Sequence, residues 1–375
     1  MRVALVCDWF LPRMGGVELH LRDLALALRT DGVDAHIVTT TRGPDAVDGV
    51  RVHRVNVPLM PGPGFALSPL LARRIGAVLR EEAFDVVHAH ASVVSPAAYA
   101  GALAGARAAL PTVITFHSML HRSSFVLGAS DALFGWTRHS VLTAVSSVVA
   151  AQAARWISNA SVGVLPNALD AAFWRVAQPR AFGSDVHFVS AMRLSRKKRP
   201  VALVRAFAEA VRFVAGSPTL RLTIAGDGPD RPALVRLAAE LGVSDRVRLP
   251  GQQSREALRA LYASAHVFVL PSERESFGIA ALEARAAGLP VIAMLAGGAR
   301  DFITPGVNGL LARDQRELAM FISRLAIDEP LRRFIANRNL VAPVEYDWRA
   351  VVRLHRAVYE AASAVRADRD SASHA

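Results

Sequence analysis

The chain has 375 residues, 52% hydrophobic and 20% charged, which suits two ordinary folded domains and excludes a disordered or fibrous protein. Its 44 Lys+Arg against 32 Asp+Glu leave a net charge of +12, a balance that favours anionic partners. The arginines are scattered, aromatics are only 7%, and no helix-turn-helix, zinc-finger or RNA-binding signature appears, so nucleic acid is not expected as a partner.

Apolar strand-like runs alternate with helix-period segments from the start. RVALVC from Arg2, AHIVTT from Ala35, RVHRV from Arg51, FDVVHAH from Phe84, TVITF from Thr112, VLTAV from Val141 and VGVL from Val162 read as strands. Leu21, Leu24, Ala25 and Leu28 follow helical spacing after the first of them. A break at Gln178 to Gly183 precedes a second series, VHFVSA, LRLTIA, RVRL, HVFVL and PVIAM. Two successive β-α arrays imply an α/β chain of two Rossmann-like, doubly wound parallel-sheet domains, residues 1–178 and 179–345, with their strand-end crevices facing a central cleft. A last amphipathic helix is expected over 346–361, carrying Val351, Val352, Leu354, His355 and Val358 on its apolar side, with a polar tail over 362–375. The single cysteine, Cys7, excludes an intramolecular disulfide and a cysteine metal site. VALVC after Arg2 is too short for a signal peptide, and no apolar run approaches the roughly 20 residues of a spanning helix, so a cytoplasmic location is expected.

In the first array, Gly15-Gly16-Val17-Glu18 opens a helix after the first strand. It is either a plain helix entry or a place where Gly16, without a side chain, lets backbone N–H groups approach a phosphate. His117 follows TVITF at a strand's C-terminal end, and His88 and His90 occupy the same end of FDVVHAH. Each is placed either to meet a polar ligand or to serve as a hydrogen-bonded structural histidine, the reading favoured for His88. Gly15-Gly16 and Gly226-Asp227-Gly228 lack the third glycine of a dinucleotide fingerprint, which disfavours a nicotinamide dehydrogenase. No histidine pair has the helical spacing of a metal site, so metal-free chemistry is expected.

The second array holds two sharper signals. The only lysines of the chain are Lys197 and Lys198, in MRLSRKK, after the strand-like VHFVSA. Where arginine has replaced lysine elsewhere, a retained lysine points to a compact ammonium that a planar guanidinium cannot replace. Arg193 and Lys198 at a strand's end are placed for a diphosphate, and a solvated basic turn is the plainer alternative. The second signal is SERESFGIAALEARAAGLP between two strands: a loop with Glu275, then Phe277-Gly278-Ile279, then an alanine-rich helix carrying Glu283 in its second turn. Such a helix start suits a phosphate, and the two carboxylates suit sugar hydroxyls, unless both are merely surface glutamates.

In their order, these residues resemble the retaining glycosyltransferases of family 4, which have the GT-B fold. Glu275 to Glu283 is similar to the family's E-x7-E element and MRLSRKK to its G-R-L-x-x-x-K segment, with Met192 in place of glycine. GGVE at Gly15, TFH at Thr115, LPNALD at Leu165, AGDGP at Ala225 and AGGARDFITPGVNGLL at Ala296 also match, so the likeness covers Met1 to about Tyr359. It implies sugar transfer from a UDP- or GDP-linked donor to a lipid or glycan acceptor, with retention, no metal and no cofactor beyond the donor. Arg193 and Lys198 would hold the diphosphate, Glu283 the ribose and Glu275 the transferred sugar. Amides at Phe277, Gly278 and Ile279 would meet sugar and phosphates, Gly15 and Gly16 the distal phosphate, and His117 the sugar's reacting face. The final helix would pack back on the first domain. Ala168 for a usual glycine and Arg300-Asp301 for a usual Pro-Glu depart from the pattern, and the second, near where family members contact the donor, puts donor preference in doubt.

DWFLPRMGGVE and the stretch from Val86 to Leu120 look most like transferases acting on phosphatidylinositol. Arg73, Arg74 and Arg80, in the segment Met60 to Arg80, suit an enzyme at the inner face of a membrane, or else a solvated helix face. A sugar-nucleotide epimerase of the same fold and a non-catalytic basic lipid- or nucleic-acid-binding protein are the competing classes.

Overall fold

The computed structural model describes residues 1–57, 68–120, 128, 131–132, 135–157, 161–176 and 185–373, with side chains to residue 367. The chain divides into two compact units, Met1–Ala168 with Tyr346–Ala375, and Leu169–Glu345.

The first unit is built on eight strands: β1 (Arg2–Cys7), β2 (Asp34–Thr39), β3 (Ala46–Val47), β4 (Val50–Arg54), β5 (Val86–Ala91), β6 (Thr112–Phe116), β7 (Val141–Ala144) and β8 (Val162–Val164). Their order is β3-β4-β2-β1-β5-β6-β7-β8, parallel throughout except for the β3–β4 hairpin. A parallel sheet covered on both faces needs near-continuous apolar strands, and Val3 to Cys7 are all buried. Helix α1 (Gly16–Thr30) packs Leu21, Leu24 and Leu28 on one face, while α2 (Leu71–Glu81) and α3 (Pro96–Arg107) cover the other with Ile75, Leu79 and Ala104. The final helix, Trp348–Ser373, completes the first of these cores: Val352, Tyr359 and Ala362 pack with Leu21, Leu24 and Val113. It runs well past the expected end at 361. Ala362 is buried and the sequence there is rich in helix formers, so backbone expected as a polar tail is helical to Ser373.

The second unit has six parallel strands in the order β11-β10-β9-β12-β13-β14, from β9 (Asp185–Ala191), β10 (Thr219–Ala225), β11 (Val247–Arg248), β12 (Val267–Leu270), β13 (Val291–Met294) and β14 (Gly309–Ala312). Phe188, Phe207, Leu222, Val269 and Ile292 lie in its core. Residues 169–176 already belong here. Asp170 caps the short helix Ala171–Trp174, and the Trp174 ring lies 5.6 Å from that of Tyr262, both fully buried. The unit begins at Leu169, ahead of the break at Gln178 to Gly183. The break itself falls entirely outside the described residues, as does the Met60 end of the basic segment.

Candidate active site

In the second unit, the loop after β9 carries Arg193 and Lys198. The backbone of Met192 to Leu194 runs against the loop after β10, where Met192 N donates to Ala225 O at 2.9 Å and Leu194 N to Asp227 O at 2.9 Å. Gly226 and Gly228 have φ +127° and +157°, and a Cβ on either would strike the carbonyl of Met192 or Leu194. The paired glycines of AGDGP are therefore needed for this close approach, and the approach holds Arg193 at the strand end with its side chain exposed.

Lys198 turns back toward the loop after β12. Its Nζ donates to Glu275 Oε2 at 2.7 Å, and Ser272 Oγ donates to the Lys198 carbonyl at 3.2 Å. Arg199 ion-pairs with Glu273, a second tie between the same two loops. The Glu275 carbonyl accepts from Gly298 N at 2.8 Å, so the loop after β13 joins them. Gly278 caps the helix Ile279–Ala286 in the left-handed region, φ +95°, and no side chain caps that helix start. A helix start without a side-chain cap suits an anion. Phe277 is buried against Phe302, at 5.5 Å between rings, which fixes the loop from below. Glu283 is half-buried in the second turn. Burial, and then the nearby Glu283 charge, push the Tyr262 hydroxyl well above the usual tyrosine range. Arg285 is buried and faces Glu345 at 3.8 Å.

The first unit has its own cluster at the C-terminal ends of β5 and β6. His117 Nε2 and His90 Nδ1 are 2.9 Å apart, so one ring donates to the other. His88 bonds Tyr359 through Nδ1 at 3.0 Å and Thr115 through Nε2 at 2.7 Å, the structural role favoured for it. His20, one turn into α1, lies 5.8 Å from the His117 ring and stacks on Trp348. Burial is the main force holding His117 down at about 3 and His355 at about 4, and it depresses His20, His88 and His90 as well. All five are thus neutral near pH 7. His117 Nδ1 and His90 Nε2 have no hydrogen-bond partner among the described residues, an arrangement that a polar ligand would complete.

Gly16 begins α1 with nothing within 4 Å of where a Cβ would stand, whereas a Cβ on Gly15 would meet the Glu18 carboxylate. Asp8 was not among the residues singled out, yet its carboxylate accepts from Ala97 N at 2.9 Å at the start of α3. Burial pushes it up to about 6 against the pull of those amide bonds. Its place at the end of β1 was the signal that could have found it.

Residues 14–173 match the family described as Glycosyltransferase Family 4, and residues 176–339 that described as Glycosyl transferases group 1. The chain is 34% identical to a GDP-mannose-dependent alpha-mannosyltransferase of Mycolicibacterium smegmatis, over 83% of this chain and 84% of that protein. The chain is a family 4 glycosyltransferase. A D-inositol 3-phosphate glycosyltransferase of the same organism is 33% identical over 84% of this chain and 80% of its own length. Among solved structures, HepE of Anabaena in complex with UDP superposes with a TM-score of 0.76 at 22% identity, covering 96% of this chain and all of that one. Sucrose-phosphate synthase from Thermosynechococcus elongatus gives 0.74 at 22% identity, over 97% and 99%. The two α/β units of this glycosyltransferase are therefore of the GT-B type, and its reaction is sugar transfer from a nucleotide-sugar donor to a glycan or glycolipid acceptor. The epimerase and non-catalytic readings give way to it. Among the described residues, no helix of the transferase is long and apolar enough to cross a membrane.

Proposed function

We propose that the enzyme is a retaining, metal-independent hexosyltransferase that takes GDP-mannose or a related GDP- or UDP-hexose and glycosylates an inositol-bearing or other envelope glycolipid acceptor. The observation that carries this reading is the 2.7 Å contact between Lys198 and Glu275. It joins the cation assigned to the leaving diphosphate to the carboxylate assigned to the sugar, and the bond that breaks lies between those two groups. As the C1–O bond opens, its electron pair passes to the diphosphate, where Arg193 and Lys198 stabilise the charge. Amides at Phe277, Gly278 and Ile279 add to that stabilisation, and Glu283 takes the ribose hydroxyls. The acceptor oxygen bonds to C1 from the face the diphosphate leaves, giving up its proton to a departing phosphate oxygen.

The relatives support this choice of donor and acceptor. GDP-mannose carries mannose in the α configuration, so the α-mannosyl product named for the Mycolicibacterium relative requires retention. On α2, Arg73, Arg74 and Arg80 are exposed while Leu71, Ile75 and Leu79 are buried, which presents a basic face to an anionic membrane surface. Purified enzyme should be offered GDP-mannose, UDP-glucose and UDP-N-acetylglucosamine with inositol phosphate and phosphatidylinositol, and the product's anomeric proton read by NMR. An α-linked product supports the proposal. A β-linked product from an α-linked donor would remove retention, and turnover with none of these donors would remove the donor class.

A further inference from the structure

On the α2 side of the first sheet, away from the strand ends that carry Gly16 and His117, two histidines and a glutamate converge. His36 on β2 and His53 on β4 stack with ring centroids 5.3 Å apart, and both rings pack edge-on against Phe84. His36 Nδ1 and His53 Nε2 are 3.0 Å apart. Glu82 caps the C-terminus of α2 and places Oε1 3.9 Å from His53 Nδ1. One ligand atom from each of the three lies within 4.8 Å of the others.

We propose that His36, His53 and Glu82 form a binding site for a zinc-like divalent transition ion, three protein ligands with a fourth position left to water. Metal–ligand bonds of about 2.0–2.1 Å in a tetrahedron set ligand atoms about 3.3 Å apart, so His36 Nδ1 and His53 Nε2 need to part by only a few tenths of an ångström, while Glu82, which faces His53 at Nδ1, needs a side-chain rotation to bring its carboxylate to the same point. Two imidazoles and a carboxylate are the donor set that zinc, cobalt and nickel accept, and magnesium does not favour. The surroundings suit the first ligand. His36 Nε2 stands 3.0 Å from Asp34 Oδ1, and donating to that carboxylate leaves Nδ1 with its lone pair facing His53. A carboxylate behind a ligating histidine orients the ring and raises its basicity. Arg2 in turn holds Asp34, at 2.7 Å. Asp34, where β2 begins, and Glu82, whose carbonyl bonds Arg2 at the start of β1, put the site toward the opposite end of the sheet from the transferase residues. The ion would pin α2 to the sheet and take no part in sugar transfer.

The test uses the full chain, stripped with chelator and titrated with Zn²⁺ by calorimetry and with Co²⁺ by visible absorption. One equivalent should bind, with a Co²⁺ spectrum of tetrahedral type and a raised melting temperature. His53→Gln and Glu82→Gln should each weaken affinity by about 10-fold or more, and Asp34→Asn by about 10-fold, with donor turnover retained as proof of folding. Absence of binding by the wild-type chain would overturn the proposal. So would zinc affinity that survives both His53→Gln and Glu82→Gln, because the ion would then be held elsewhere.

Discussion

Lys198 and Glu275 are 77 residues apart in sequence and 2.7 Å apart in the fold, with side chains 30% and 13% exposed. An ion pair this close to the surface adds only about 1 kcal/mol to stability. In the proposed mechanism its value is positional, because it would aim the ammonium and the carboxylate at one substrate. Lys198→Ala should therefore lower turnover by about 10²-fold or more while the fold persists. Arg193→Ala should act similarly, and Lys197→Arg should be nearly silent. Turnover of Lys198→Ala close to wild type with the preferred donor would take the residue out of the site.

Gly16 gives a cleaner separation of folding from function. A methyl group there meets nothing within 4 Å, and alanine favours a helix by roughly 0.5–1 kcal/mol over glycine. Gly16→Ala should melt at the same or a higher temperature and yet lose most of its turnover, because the methyl occupies the space assigned to a phosphate. Full activity in a stable Gly16→Ala enzyme would mean that nothing approaches this helix start closely.

Under the proposed mechanism activity should persist in chelator, since two cations and a helix start would neutralise the leaving group. Loss of turnover in chelator that magnesium or manganese restores would contradict this. Restoration by zinc with recovery of the melting temperature would instead report on His36 and His53.

The buried histidines make stability fall in acid. Each has a folded pKa below its unfolded value, about 3 for His117 and about 4 for His355, so below pH 6.5 the unfolded chain takes up protons that the folded chain refuses. Their stabilisation is complete above pH 6.5 and is lost as pH falls toward 3. Asp8, raised to about 6, acts oppositely: its contribution is present below pH 3.8 and is lost as pH rises to 6. Glu18, which burial also raises, acts in the same sense as Asp8, and five histidines outweigh these two carboxyls, so the melting temperature should drop between pH 7 and pH 5. A flat profile there would mean that water reaches the cluster.

Tyr359→Phe removes the hydroxyl that bonds His88 in a fully buried setting and should cost about 1–3 kcal/mol in chemical denaturation. A change under about 0.5 kcal/mol would show that the His88 nitrogen finds another partner.

Both sheets were legible in the sequence because buried parallel strands are short, unbroken apolar runs, VHFVSA and TVITF among them. β14 was not separated as a strand because GLLA follows a glycine-rich turn and is only four residues long. Glu275, Gly278 and Glu283 could be placed on loop, cap and helix because all three lie within one local element. Arg285 could not: its burial comes from tertiary packing and Glu345, which helical spacing does not encode. The histidine cluster was half visible. His88, His90 and His117 sit at strand ends, whereas His20 and His355 come from helices at opposite ends of the chain. His36, His53 and Glu82 share no spacing rule, since two strands and a helix cap bring them together.

The final helix has a further consequence, in time. Val352, Tyr359 and Ala362 fill the core around Leu21 and Leu24, yet residues 169–345 must be synthesised before them. At about 5–20 residues per second, a nascent chain waits roughly ten to forty seconds between making its first sheet and receiving the helix that covers it. The second unit, contiguous in sequence, can finish folding first. During that interval Leu21, Leu24 and His88 lack their last neighbours, and a chaperone on the ribosome would find its binding surface there.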